Sequence, residues 1–262
     1  MWPTAPCQTW RRLDDTSWNG TRVTRVRDPQ EALLLHRWDV TPAEARALQL
    51  EWRARLERRH RIGRIRRVAG ADVAFDSGQA IAGIVLFSYP DWKELECAAA
   101  RRPLTFPYVP GLLSFREIPA ILAALAGLRE VPDVIFCDGQ GYAHPRRFGL
   151  ACHLGVLLDL PTIGCAKSRL IGEYREPGPQ AGAWTPLLHQ GERIGAVLRT
   201  RAGARPMYIS CGHRVSLERA VELVMESCDG PRVPRPTRRA DRYVAECKRA
   251  ARPVSRTHSE TL

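Results

Sequence analysis

Two nearly continuous apolar runs, residues 66–75 and 79–88, are divided only by Asp76-Ser77-Gly78, a turn that predicts antiparallel pairing. A third strand is expected over 93–100. Ahead of them, Ala45, Leu48, Trp52 and Leu56 recur at helical spacing behind Thr41, with Pro42 next and Glu44 three residues on. That combination predicts a helix start, because hydroxyl and carboxylate satisfy first-turn N–H groups that have no partner within the helix. After a loop at 101–111, residues 115–128 carry helical periodicity, with Pro119 expected in the first turn. Alternation follows, with strand 133–137, helix 147–158 and strand 162–166. A hairpin over 184–199, an apolar stretch at 207–210 and a helix over 217–228 come next, the last capped by Ser216 and stopped by Gly230-Pro231.

Three antiparallel strands, then helix, strand, helix and strand, predict an α/β fold in which a mixed sheet is flanked by helices, the order of a ribonuclease H-like core. With 262 residues, 44% of them hydrophobic, the chain can bury one sizeable core. Residues 1–30 show no sustained period and are expected to form an extension without stable structure. Residues 31–247 are expected to form a single domain, and 248–262 a basic tail.

Charge narrows the partners. Lys and Arg outnumber Asp and Glu by 40 to 28, for a formal charge of +12, and the pI is about 9.9, which favours a polyanion. Eight arginines against the single Glu57 between Arg53 and Arg67 form either a phosphate-facing patch or a solvated helix face. The eight cysteines include no CxxC pair, which argues against structural zinc and for reduced thiols in the cytoplasm. No run of about 18 apolar residues is present, so a membrane span is not expected.

Candidate chemistry begins with Asp72, a carboxylate midway along the apolar run Val68 to Phe75. A buried carboxylate there must be paired, protonated or metal-bound, whereas at a sheet edge it would face water. Asp138 ends the next expected parallel strand, in Asp138-Gly139-Gln140-Gly141, and strands of one sheet can bring the two together. Such carboxylates with water make the all-oxygen shell that Mg²⁺ or Mn²⁺ prefers. Glu117, at the start of its helix, is either a third ligand or a dipole-complementing residue. Lys167 follows the strand 162–166 and points to the same sheet end, where a cation can hold a phosphate. Arg146 and Arg147 could clamp phosphate or cover a helix start. His144 precedes Pro145 and suits a loop beside the site. His213 more simply positions the helix after it. Tyr108, flanked by Pro107 and Pro110, is a stiff aromatic suited to wedging into a base stack, or to packing over the sheet end.

Pro107-Tyr108-Val109-Pro110-Gly111-Leu112-Leu113-Ser114-Phe115-Arg116-Glu117 resembles a signature segment of the endonuclease V family. So do Asp138-Gly139-Gln140-Gly141 with His144-Pro145-Arg146-Arg147, the run 161–168, Tyr208 to Ser216, and Pro236 to Asp241. Val109 stands where the family has Ile, and Cys165 where it has a small apolar residue. The resemblance, over residues 40–245, implies a metal-dependent repair endonuclease acting on DNA with deaminated bases, or on inosine-containing RNA, as a monomer. It implies Asp72, Asp138 and Glu117 as ligands to Mg²⁺, with Mn²⁺ as a substitute. Asp241 would complete the acidic cluster, Lys167 would stabilise the phosphate, and Tyr108 would wedge at the lesion. Gly111, Leu113, Gly139 and His144 would surround the extruded base. Another ribonuclease H-like nuclease, such as a junction resolvase or hybrid ribonuclease, and a non-catalytic nucleic-acid-binding module are the alternatives.

Overall fold

The computed structural model describes residues 26–59 and 62–250. Helices α1 (Pro29–Leu33) and α2 (Pro42–Arg53) precede three strands, β1 (Arg67–Asp76), β2 (Gln79–Ser88) and β3 (Glu94–Pro103). Helix α3 (Leu113–Leu125), β4 (Val134–Cys137), α4 (Leu150–Leu158) and β5 (Thr162–Ala166) alternate behind them. The chain then adds β6 (Trp184–His189), β7 (Glu192–Leu198), β8 (Met207–Cys211), α5 (Leu217–Glu226) and α6 (Arg235–Ala250). All eight strands join one sheet in the order β3-β2-β1-β4-β5-β8-β7-β6. β1 to β3 pair antiparallel, while β1, β4 and β5 run parallel. The expected mixed ribonuclease H-like sheet is therefore present, and the later hairpin and apolar stretch extend it antiparallel beyond β5.

Local chemistry accounts for several element ends. Ser77 and Gly78 both take positive φ, 47° and 74°, as a two-residue hairpin turn requires. Thr41 and Glu44 form the reciprocal capping box at α2, and Ser216 caps α5 by accepting from the Arg219 N–H. Two expectations shift. Pro119 lies in the interior of α3 rather than in its first turn, and the helix runs through it. The lost backbone bond is outweighed by burial of Ile118, Ile121, Leu122 and Leu125 against the sheet. Order also begins before Glu31: Val26 is buried, Arg27 N–H bonds Leu158 O at 2.8 Å, and Asp28 caps α1. The remainder of the expected extension, 1–25, and of the tail, 251–262, lies outside the described residues.

One sheet face is covered by α3 and α4, with α1 and α2 packed over those helices. The other is covered by α5 over β7 and β8 and by α6 over β1 and β2. Helix α6 buries Thr237, Ala240, Val244 and Cys247 along one stripe. Its backbone approaches β1 at Gly70, where any side chain would collide with the Pro236 carbonyl. Glu94 of β3 anchors it through Arg239 at 2.9 Å, and Lys248 Nζ donates to Phe75 O at 2.9 Å. Among the described residues no helix is long and apolar enough to cross a membrane.

Candidate functional site

Parallel register assembles the acidic centre. Ala71 of β1 pairs with Cys137 of β4, and the Asp138 N–H donates to Ala71 O at 3.2 Å, so Asp72 and Asp138 emerge side by side at one sheet end. β5 is the next parallel strand, and the residue after it, Lys167, reaches Asp138 Oδ2 at 2.5 Å and Asp241 Oδ2 at 3.6 Å. Asp241 arrives from α6, held there by the close approach at Gly70. Glu117 comes from α3 on the opposite face and is buried. The five residues named from the sequence, Asp72, Glu117, Asp138, Lys167 and Asp241, thus converge from five elements.

Their charges do not cancel. Burial, with the Asp138 and Asp241 carboxylates beside it, outweighs Lys167 and the Val73 N–H and pushes Asp72 up to about 7. Burial, followed by repulsion from Asp72 and Asp138, holds Glu117 well above the usual carboxylate range. Burial works against the Lys167 ammonium, yet its hydrogen bond to Asp138 and the surrounding carboxylates raise its pKa on balance. A hard divalent cation suits this set, since every donor is a carboxylate oxygen and the Lys167 ammonium faces three aspartates, with only Arg116 acting on Glu117. Closeness is another matter: among the described residues no three His, Cys, Asp or Glu are gathered tightly enough to hold an ion as they stand. The ammonium at Asp138 is the strong contact in the cluster.

Beside this centre, the loop between β3 and α3 is pinned by buried Phe106 and Leu112 and raises Tyr108 into solvent, 72% exposed. Arg116 braces it from below, donating to Phe106 O at 2.9 Å with its guanidinium 5.8 Å from the Tyr108 ring. Gly111, at φ 79°, turns its carbonyl inward to accept from Gln49 Nε2 at 3.1 Å, Arg146 Nη2 at 2.8 Å and His144 Nε2 at 2.9 Å. His144 Nδ1 in turn accepts from the Arg146 N–H at 3.2 Å, so the ring is neutral and both nitrogens are engaged. Burial, then the neighbouring Arg146, lowers His144 to about 4. Leu113 opens α3 half-buried, and half-buried Gly139 packs against Leu150.

The arginine pair clamps protein instead of reaching out. Arg146 Nε donates to Gln49 Oε1 at 2.6 Å, and Arg147 is buried, bonded to Glu192 Oε2 at 2.8 Å and His144 O at 3.1 Å. His213 is buried, accepts from the Glu57 N–H at 3.2 Å and meets Asp159 at 3.3 Å; it secures a loop away from the carboxylates. Within the arginine run, Arg55 lies over Trp52 and Arg58 over Tyr142, so these cations cover aromatic surface. Sequence reasoning missed Gln49, which ties α2 to both site loops. Its signal was a polar residue at i+4 from Ala45, on the stripe that buries Trp52.

The profile of the Endonuclease V family matches residues 48–242. An Endonuclease V from Roseiflexus castenholzii is 52% identical over 212 residues, which span 80% of this chain and 95% of the relative. The crystal structure of the Endonuclease V from Streptomyces avermitilis superposes with a TM-score of 0.78 at 42% identity, covering 87% of this chain and 99% of that one. The Endonuclease V of Ciona intestinalis, crystallised with a 24mer DNA containing an inosine followed by a ribo-adenosine, gives a TM-score of 0.70 at 26% identity over 80% of this chain and 98% of that one.

Proposed function

The chain belongs to the endonuclease V family of nucleases, and from that premise we propose that it cuts DNA at deaminated bases, chiefly deoxyinosine, and accepts inosine in RNA. The bond hydrolysed is the second phosphodiester 3′ to the lesion, leaving 3′-hydroxyl and 5′-phosphate ends with the glycosidic bond intact. The observation that carries this reading is the meeting of Asp72, Asp138 and Lys167 at one sheet end, with Lys167 Nζ 2.5 Å from Asp138.

Asp72, Asp138 and Glu117 are the residues that would hold Mg²⁺, or Mn²⁺ in its place, and the ion would supply an acidified water and charge stabilisation at the phosphate. Lys167, oriented by Asp138 and Asp241, presents its ammonium to the non-bridging oxygens, where negative charge builds. Tyr108, exposed and carried on a loop anchored at both ends, fills the gap left by the extruded base. The backbone at Gly111 and Gly139, with Leu113 and neutral His144, surrounds that base; His144 acts by fixing the Gly111 peptide. The seven cysteines among the described residues are free thiols, which suits the reducing cytoplasm as the place of work.

The test is an end-labelled duplex bearing one deoxyinosine, incubated with Mg²⁺ or with chelator beside the same duplex without the lesion. One metal-dependent cut, a nucleotide beyond the inosine's own 3′ phosphodiester, is expected. Intact inosine substrates, DNA and RNA alike, in the presence of folded protein would sink the proposal.

A further inference from the structure

Along the sheet end that carries the acidic centre, Asp72 stands on β1, Asp138 just after β4 and Lys167 just after β5. The next strand in that order, β8, begins beside β5 with Ala166 opposite Tyr208. There a cleft of about 370 Å³ opens past Lys167, walled by Arg169, Tyr174, Arg205, Tyr208 and Arg232. The two tyrosine rings meet edge to face at 5.7 Å with their hydroxyls 3.0 Å apart. Arg169 lies 5.6 Å from the Tyr174 ring.

The cleft is over-supplied with cations. Its acid, Glu176, is taken by Arg199 at 2.6 Å. Arg232 is held by the carbonyls of Lys167 at 2.6 Å and Pro206 at 3.0 Å, while its Nε is buried with no hydrogen-bond partner. Exposed Arg205 stands close enough that, after burial, its charge helps to lower the pKa of Arg232. Arginines that repel one another beside half-buried tyrosines that line the same cleft are the composition of a single-strand track, in which cations meet phosphates and rings stack on bases.

We propose that this cleft seats the strand 3′ of the cut, with Arg169, Arg205 and Arg232 on its phosphates and the Tyr174–Tyr208 pair against a base. The direction rests on the function proposed above. A bond cut 3′ of the base requires the strand to run from the base pocket past the carboxylates to Lys167, and the same course leads into the cleft. The protein therefore grips the fragment that leaves with the 5′-phosphate.

The test uses single strands with one deoxyinosine, a fixed 5′ arm, and a 3′ arm reaching either one or about six nucleotides past the cut. For the wild type, KM should be roughly tenfold lower on the long arm, the size of one or two stacking and phosphate contacts. Arg205→Glu and Tyr174→Leu should each shrink that advantage to about twofold while leaving KM on the short arm unchanged, which also shows that the variants fold. Trimming the 5′ arm should not separate variants from wild type. Equal losses on both arms, or on neither, overturn the proposal. Anisotropy with the same strands lacking inosine reads the cleft independently of cleavage. There Arg205→Glu should weaken binding about fivefold and reduce the salt slope by about one, and unchanged binding overturns the cleft even if no inosine substrate is cut.

Discussion

The acidic centre and the brace beneath the Tyr108 loop are both built from polar side chains held at the same end of one sheet, yet they are finished to opposite degrees. In the brace, the Gly111 carbonyl accepts three hydrogen bonds, Gln49 is engaged at both its oxygen and its nitrogen, and neutral His144 uses both ring atoms. In the centre, Asp72 and Glu117 are driven toward protonation by burial and by their neighbours, against the opposing pull of Lys167 on the one and Arg116 on the other. Satisfied polar groups fix a shape, whereas unsatisfied ones retain free energy that an arriving cation and phosphate can release. On the function proposed, the contrast separates a region that positions from one that reacts.

Substitutions should respect that division. At the centre, Asp138→Ala should fold and lose on the order of 10³-fold or more in kcat, because both the cation ligand and the Lys167 anchor go together. A folded variant with the wild-type cutting rate would erase the contrast. At the brace the larger effect is on stability. His144 ordinarily titrates near 6.5 but only near 4 when folded, so between those values the unfolded chain binds a proton that the folded one refuses. The contribution is complete above about pH 6.5 and drains as pH falls toward 4, up to about 3 kcal/mol. Urea midpoints measured across that window should fall more steeply in the wild type than in His144→Gln, and identical slopes would argue against a neutral folded imidazole.

Smaller effects sharpen the picture. Gln49→Leu strands the Phe148 carbonyl and loosens Arg146, so a loss of about 2 kcal/mol is expected in chemical denaturation, with weaker preference for inosine over undamaged DNA. Stability at the wild-type level would place the brace elsewhere. Tyr108→Ala removes an exposed ring and should leave the melting temperature alone. It should raise KM on duplex substrate roughly tenfold while sparing single strands, where no stack needs opening. Equal effects on both substrates would assign Tyr108 to general binding.

How much of this was legible in the chain depended on distance along it. The hairpin at Ser77-Gly78 and the caps at Thr41 and Ser216 are set by residues within a few positions of one another, and the structure has them as expected. The gathering of Asp72, Asp138 and Lys167 followed from a mid-strand carboxylate lying beside the ends of two parallel strands. Arg146 was open to two readings because its true partner, Gln49, is 97 residues away. Helix α6 was obscured by its charge: Arg238, Arg239, Asp241 and Arg242 dominate the composition, and the buried stripe of Thr237, Ala240, Val244 and Cys247 is made of small or unassuming residues. That stripe matches a floor containing Gly70 and Gly83, a complementarity that exists only once the strands have paired.

The docking of α6 also sets a timetable. During synthesis Asp72, Glu117, Asp138 and Lys167 are all made well before Asp241, and the surface around Gly70 stays uncovered until α6 arrives. A chain ended at residue 234 would carry four of the five groups, keep an uncovered face over β1 and β2, and leave Lys167 tethered to Asp138 alone. On the site proposed above, the nuclease is completed from its C-terminal side, so an unfinished copy emerging from the ribosome lacks a full site for the nucleic acid around it.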